Sequence, residues 1–461
     1  MPRELHKQPH LSDDAAGDIG YRTDTIVALA TPPGRGGVAV VRMSGAESLK
    51  IAQQLCSTPI ADQPRHAHLT DLHAPSDKQI LDKALVTYYK APASFTGEDI
   101  VEISTHGGHV TPRRVIRTLT NLGARQAEPG EFSLRAFLNG KMNLAEAEAL
   151  NLMVSSMSRR GQEAATNNLT GQLSREVGEV REGLIDLLTI LEHELDFSED
   201  EIDATSRQEI ERILTQAIDN LSHLQETAPY GRIIRDGVRV ILAGSPNSGK
   251  SSLFNALIGH ERAIVTEIPG TTRDSLEAWI DIDGFPVCLV DTAGLRDSAD
   301  TIERLGVERS RKELSGADII LLLDPEDPFS AELALEENAS HILFIKSKAD
   351  QFTSTNKKKL IQVSIQREDG LDDLLRQLKA VLRSYIPAGE GAIISSDRQL
   401  LALKKGLQGL ERVKEQLVAG QSIDILSGEI RLAVDHLAEI IGETTSEDVI
   451  QRIFSEFCVG K

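Results

Sequence analysis

Residues 244–252, Gly-Ser-Pro-Asn-Ser-Gly-Lys-Ser-Ser, constrain this chain more than any other stretch. Val-Arg-Val-Ile-Leu-Ala precedes them at 238–243 and Leu-Phe-Asn-Ala-Leu-Ile-Gly comes after them at 253–259, so they join a buried strand to a helix. In that context Gly-x-x-x-x-Gly-Lys-Ser is a phosphate-binding loop. Its glycines let backbone amides converge on phosphates, which the helix amino terminus favours electrostatically. Lys250 is placed to reach the β and γ phosphates and Ser251 to ligate magnesium, with Asn247, Ser248, Gly249 and Ser252 completing the loop.

The residues downstream of the loop narrow a nucleotide domain to a switch-type GTPase. Thr266, Glu267, Ile268, Pro269, Gly270, Thr271 and Thr272 read as a switch segment in which Thr272 closes over magnesium and the γ phosphate. The strand at 286–290 delivers Asp291, Thr292, Ala293 and Gly294; Asp291 would hold magnesium through water and the Gly294 amide would sense the γ phosphate. After the apolar strand at 341–345 comes Ser347-Lys-Ala-Asp350, whose Asp350 carboxylate, beside Lys348, can accept both guanine donors. Serine stands at 347 where the usual motif has asparagine, which weakens one contact. Val-Ser-Ile at 363–365 reads as a loop near the base, with Ile365 where alanine is common. Leu295 comes directly after the Asp-Thr-Ala-Gly string, and an apolar side chain cannot orient an attacking water, so another group must. The downstream acids are Asp297, Asp300, Glu303 and Glu308, and Arg273 and Arg296 are candidate arginine fingers. Asn247 offers a carbonyl oxygen to a monovalent cation, whose charge would substitute for a finger.

At 461 residues the chain has room for two to four domains. It contains no run of 18 or more apolar residues, and residues 1–20 are polar, which reads as a disordered extension rather than a signal or an anchor. Cys56, Cys288 and Cys458 are too far apart for metal-ligand spacing or a disulfide framework, and a reducing cytoplasm fits them best. The net charge of −20 opposes indiscriminate binding to polyanions. That leaves an RNA partner to local patches: Arg113, Arg114 and Arg117; Arg159 and Arg160; or Lys357, Lys358 and Lys359.

Around the nucleotide domain, β-type runs at 25–30 and 37–42 flank a glycine-rich turn carrying Arg35, and further runs lie at 85–89 and 99–104. A helix is predicted over 111–122, and Gly130 and Gly140 bracket a short one. From 144 to about 225 the periodicity is helical, as at Leu184, Leu187, Leu188 and Leu191, with the acidic stretch 196–203 breaking it; helical periodicity returns at 386–461. The expected fold is multidomain α/β plus α. A disordered extension (1–20) precedes a small α+β amino-terminal domain (21–141), and a helical domain (142–236 and 385–461) carries an inserted P-loop, Ras-like GTPase domain (237–384).

Four separated strings carry a family resemblance: Ala-Thr-Pro-Pro-Gly-Arg-Gly-Gly at 30–37, Arg-Ala-Phe-Leu-Asn-Gly-Lys at 135–141, the inserted GTPase domain, and Phe-Cys-Val-Gly-Lys at 457–461. With them, residues 21–461 resemble the MnmE (TrmE) family of tRNA modification GTPases. The resemblance implies an amino-terminal domain that forms a homodimer and binds a tetrahydrofolate derivative, of the 5-formyl or 5,10-methylene type, at Arg42, Glu102, Lys141 and Lys461. It implies that Cys458 is required for modification, that magnesium is held at Ser251 and Thr272, and that potassium is held at Asn247, Thr266, Ile268 and Thr271. Glu303 matches the family's water-positioning glutamate, delivered when potassium-dependent pairing of two GTPase domains orders the switch. The implied partner is the FAD-carrying flavoprotein MnmG (GidA), in a heterotetramer. Together they would install an aminomethyl-type (carboxymethylaminomethyl) group on carbon 5 of the tRNA wobble uridine. A regulatory GTP switch in ribosome assembly, or a scaffold with a vestigial nucleotide site, stands as the alternative.

Overall fold

Alternation along the amino-terminal strands sends Val27, Val41, Met43, Val86, Val101 and Ile103 to one face of a sheet. Val115 and Leu119 of the helix Thr111–Asn121 cover that face. In this computed structural model, which describes residues 24–76, 78–197, 204–263, 277–291, 316–329, 341–351, 360–367, 369–387 and 391–460, the sheet is six-stranded. Its members are β1 (Ile26–Leu29), β2 (Val38–Ser44), β3 (Ala67–His73), β4 (Ile80–Tyr89), β5 (Ile100–His106) and β6 (Arg125–Gln126), in the order β3-β4-β5-β2-β1-β6. All pairings are antiparallel except β1 with β6. The predicted extension at 1–20, the switch segment 266–272, residues 292–294, Glu303, the lysine run 357–359 and Lys461 lie outside the described residues.

Contact density divides the chain into two units, residues 1–151 with 438–461, and residues 152–437. This division differs from the sequence boundary, which keeps 385–461 together as helical domain. In the first unit the carboxy-terminal helix Glu447–Ser455 supplies Ile450 and Phe454 to a cluster with Phe137, Leu144 and Ala147. Gly442, at φ 90°, lies where a Cβ would press on Leu144 and Phe137. The periodicity of 386–461 marks helices correctly but cannot say on which core each one packs.

The second unit holds the helices Arg159–Leu169, Gln172–Phe197, Ala204–Glu226, Ala228–Asp236 and Asp397–Val418, with Ala204–Glu226 packed between Gln172–Phe197 and Asp397–Val418. It also holds a seven-stranded sheet covered on one face by the helices Lys250–His260 and Leu371–Ser384. That sheet contains β7 (Val238–Gly244), β8 (Arg262–Ala263), β9 (Glu277–Ile282), β10 (Phe285–Asp291), β11 (Ile319–Asp324), β12 (His341–Lys346) and β13 (Ile361–Gln362). The order is β13-β12-β11-β7-β10-β9-β8, parallel from β13 to β10. Val240, Leu242 and Leu289 face one core while Ile241, Ala243 and Cys288 face the other, so both sheet faces are covered, as parallel sheets require. The helix Ala228–Asp236 feeds β7. The return segment is clamped where Asn168 Nδ2 donates to the Ile393 carbonyl (2.7 Å) and the Ile394 amide donates to Thr227 Oγ1 (3.0 Å).

Strand β3 was not legible in the sequence, because His66, His68, Asp71 and His73 interrupt any apolar alternation at this sheet edge. The helical run from 144 resolves into separate helices, one of them started by Ser158, whose hydroxyl accepts from the Gly161 amide at 3.2 Å.

Candidate functional site

The phosphate loop sits where β7 ends and the helix Lys250–His260 begins. Gly244, at φ 145°, passes so close to the Leu323 carbonyl oxygen that a Cβ would collide with it. Asn247 (φ 61°) and Gly249 (φ 91°) take left-handed conformations that turn the chain into the helix. Lys250 is buried, and its ammonium donates to the carbonyls of Gly244 (3.1 Å) and Ser245 (2.8 Å), which folds it back over the loop. The loop is pinned at its base by Ser245 Oγ donating to Asp324 Oδ2 at 3.0 Å. Ser248 is fully buried, and its hydroxyl has no hydrogen-bond partner among the described residues.

Parallel pairing of β10 with β7 sets Asp291 opposite Leu242, at the carboxyl end where α/β sheets bind ligands. Ser251 Oγ donates to Asp291 Oδ2 at 2.6 Å. A hydroxyl and a carboxylate side by side are hard oxygen donors, the set that suits magnesium.

Beside the loop is a cavity of about 110 Å³ lined by Gly249, Leu253, Ser347, Lys348, Asp350 and Ile365. The Ser347 amide donates to the Asp324 carbonyl (3.1 Å) and the Ala349 amide to the Val363 carbonyl (3.2 Å), which holds the 347–350 loop over the sheet. Ser364 Oγ donates to Asp350 Oδ1 at 2.7 Å, and that bond is the largest cause of an Asp350 pKa below the ordinary carboxylate value. The carboxylate is therefore an acceptor at neutral pH. Ser347 Oγ is buried and unpartnered among the described residues. Asn247, Ser248, Gly249, Lys250, Ser251, Ser252, Asp291, Lys348 and Asp350 thus all lie around the loop and the cavity. The 363–365 loop reads as near the base, but the Ser364 bond to Asp350 within it has no sequence signature, and the Asp324 brace shows only when two distant segments meet.

In the first unit the register pairs Arg42 with Glu102 on adjacent strands, with Arg42 Nη2 2.7 Å from Glu102 Oε1. The guanidinium also stands 5.7 and 5.9 Å from the ring centroids of Phe95 and Phe132, neither of which has a sequence signature. Tyr89 OH donates to Glu102 Oε2 (3.4 Å), and burial raises the phenol's pKa. The Lys141 side chain packs on Gly97, 3.1 Å from where a Cβ would stand. The carboxy-terminal tail is fixed in the same unit by a bridge between Val459 and Pro129 and by the Gly130 amide donating to the Cys458 carbonyl at 3.4 Å. Cys458 is exposed, whereas burial pushes Cys56 up to about 12 and Cys288 to about 11. Among the described residues no cluster of metal-ligating side chains occurs, and no helix is long and apolar enough to cross a membrane.

Two family models match, the MnmE helical domain over residues 144–458 and the GTP-binding protein TrmE N-terminus over residues 25–141. The tRNA modification GTPase MnmE of Photobacterium profundum is 40% identical over 455 residues, covering 95% of this chain and 99% of that protein. Those of Vibrio cholerae (40% over 456 residues) and Aquifex aeolicus (39% over 449) cover 95% of this chain and 100% of theirs. With a nucleotide site built at its phosphate loop, this chain belongs to the tRNA modification GTPase MnmE family and is a GTP hydrolase that takes part in tRNA modification.

Proposed function

We infer that the protein is a potassium-activated GTPase working as a homodimer with the flavoprotein MnmG (GidA), which carries FAD. The product is an aminomethyl-type group, carboxymethylaminomethyl, on carbon 5 of the tRNA wobble uridine. The observation that carries the GTPase half is the meeting of Lys250, Ser251 and Asp291 beside a cavity whose far wall holds an ionised Asp350.

Lys250 would neutralise the β and γ phosphates, and Ser251, Asp291 and Thr272 would hold the magnesium that offsets their charge. Asn247 stands exposed on the loop, where its side-chain oxygen fits a monovalent cation. Thr266, Ile268 and Thr271 complete the potassium set, and Glu303 orients the attacking water. Glu267, Pro269, Gly270, Thr292, Ala293 and Gly294 complete the nucleotide contacts. Bound potassium supplies the positive charge that other GTPases take from an arginine.

A tetrahydrofolate derivative fits the first unit. The half-buried Arg42–Glu102 pair, with Phe95 and Phe132 near the Arg42 guanidinium, offers charge and stacking to a planar polar ligand, and Lys141 and Lys461 would complete the site. The folate supplies the one-carbon unit, and Cys458, on the tail fixed in that unit, serves the modification chemistry. The test is GTP turnover in potassium against sodium buffer, with Glu303→Ala in parallel. Strong potassium activation lost in Glu303→Ala supports the mechanism; equal slow rates in both salts, untouched by the substitution, would overturn it.

A further inference from the structure

A tRNA must find purchase on a chain with a net charge of −20, which repels polyanions at long range. Three basic clusters stand out in the sequence, and the structure gives them different employment. Arg160 is consumed internally: its guanidinium donates to the Asp283 carbonyl (2.9 Å), pairs with the Asp283 carboxylate and lies 4.8 Å from the Phe285 ring centroid. Its neighbour Arg159 pairs with Glu163 at 2.6 Å. The run Lys357, Lys358 and Lys359 is outside the described residues.

The helix Thr111–Asn121 is different. It buries Pro112, Val115 and Leu119 and leaves Arg113, Arg114 and Arg117 exposed. Arg117 lies four positions after Arg113 and three after Arg114, so it neighbours both on the helix surface. Neither Arg113 nor Arg117 pairs with an acid among the described residues. Arg114 donates to Gln79 Oε1 at 2.6 Å, which holds the turn carrying the exposed Lys78 against this helix. From position 103 to position 127 the sequence has no Asp or Glu, in a chain where 70 of 461 residues are acidic. Asp82, which reaches the end of β5, is occupied there by the His106 amide and Nδ1, each at 2.7 Å.

We propose that the outer face of this helix, through Arg113, Arg114 and Arg117 with Lys78 at its margin, grips the sugar-phosphate backbone of the tRNA. The proposal rests on the reading that this chain itself contacts tRNA. Guanidinium groups suit phosphate because each offers a planar fork of donors. An acid-free, convex helix face carries no base-reading pocket, so it positions the RNA without selecting sequence.

The test uses the full chain and an unmodified tRNA transcript, with affinity measured by fluorescence anisotropy across a salt series. Arg113→Ala with Arg117→Ala is expected to weaken binding about tenfold or more and to flatten the dependence of log K on log salt by about two. GTP turnover without RNA, and the melting temperature, stay at wild-type values. Arg159→Ala, an exposed arginine elsewhere, leaves binding unchanged. A double variant that binds as the wild type does, with the same salt slope, overturns the assignment of this face. A wild-type chain that shows no tRNA binding in the same assay overturns the underlying reading instead. Loss of flavoprotein association with tRNA affinity intact also overturns the proposal and gives the face to a protein partner.

Discussion

In the proposed guanine contact Asp350 can accept only while it is ionised, and the Ser364 hydroxyl keeps it so. Because its pKa in the folded protein is depressed, the acceptor form is present across neutral and mildly acidic pH and is lost only as pH falls through that depressed value. Ser364→Ala removes the donor and moves the pKa up toward the ordinary carboxylate value. Guanine-nucleotide affinity should then be nearly unchanged at pH 7 but should begin to fall at a higher pH than in the wild type. A fluorescent GDP analogue titrated from pH 7 downward, with circular dichroism to follow folding, reads this directly; superimposable profiles would remove Ser364 from the site. Ser347 offers the complementary experiment. Its buried hydroxyl has no partner among the described residues and borders the base cavity. An amide there gains about one hydrogen bond, on the order of 1 kcal/mol. Ser347→Asn should therefore tighten GTP binding about fivefold with kcat unmoved, and unchanged or weaker binding would show that the cavity has no use for the longer side chain.

Between single residues and domains, the insertion of the GTPase sheet depends on two backbones passing very close. Gly231, inside the helix Ala228–Asp236, lies where a Cβ would collide with the Ile394 carbonyl oxygen and press on Ile393 Cγ2 at 3.2 Å. The clash is with main chain that Thr227 and Asn168 already hold, so it cannot be relieved by turning a side chain. Gly231→Ala should cost about 2–3 kcal/mol, the scale of overpacking a well-filled core. Urea denaturation followed by tryptophan fluorescence at Trp279 would register it, and a loss below about 0.5 kcal/mol would mean that the return segment yields. Nothing in the sequence around Gly231 announces this approach, because the partner backbone arrives from more than 160 positions away. The strand, loop and helix at 238–260 were legible because their chemistry is local: a run of apolar residues, two glycines and a lysine in fixed order. The short helix Glu131–Leu138 was legible for the same reason, since Gly130, at φ 69°, opens it and Gly140, at φ 64°, turns the chain just past its end. Edge strand β3 was not legible because polar residues interrupt its alternation, and the aromatic walls beside Arg42 were not because Phe95 and Phe132 meet it only through the fold; the Ser364 bond to Asp350 needs a side-chain geometry that spacing does not announce.

Distant parts of the chain meet in one unit, where residues 438–461 are grouped with residues 1–151. Gly460, at φ 95°, sits so near the Leu29 carbonyl oxygen that a Cβ would collide with it, and Val459 bridges to Pro129. The tail is thus seated on the amino-terminal sheet and on the turn before the helix Glu131–Leu138, and Cys458 is left exposed. The residues proposed for GTP hydrolysis, Lys250, Asp291 and Asp350 among them, lie in the other unit, so the two activities should separate under mutation. Cys458→Ser keeps the tail's backbone contacts and removes only the thiol. It should abolish modification of tRNA in a reaction with the flavoprotein while leaving GTP turnover within about twofold of wild type. Gly460→Ala keeps the thiol but strains the left-handed backbone and crowds Leu29, by about 1 kcal/mol or more. It should lower modification in part, again with GTP turnover retained. Nucleoside analysis of the tRNA beside a phosphate-release assay measures both quantities on one preparation. If Cys458→Ser modifies tRNA at the wild-type rate, the thiol has no chemical role. If Gly460→Ala alone is fully active, the seating of the tail on Leu29 is packing without functional consequence.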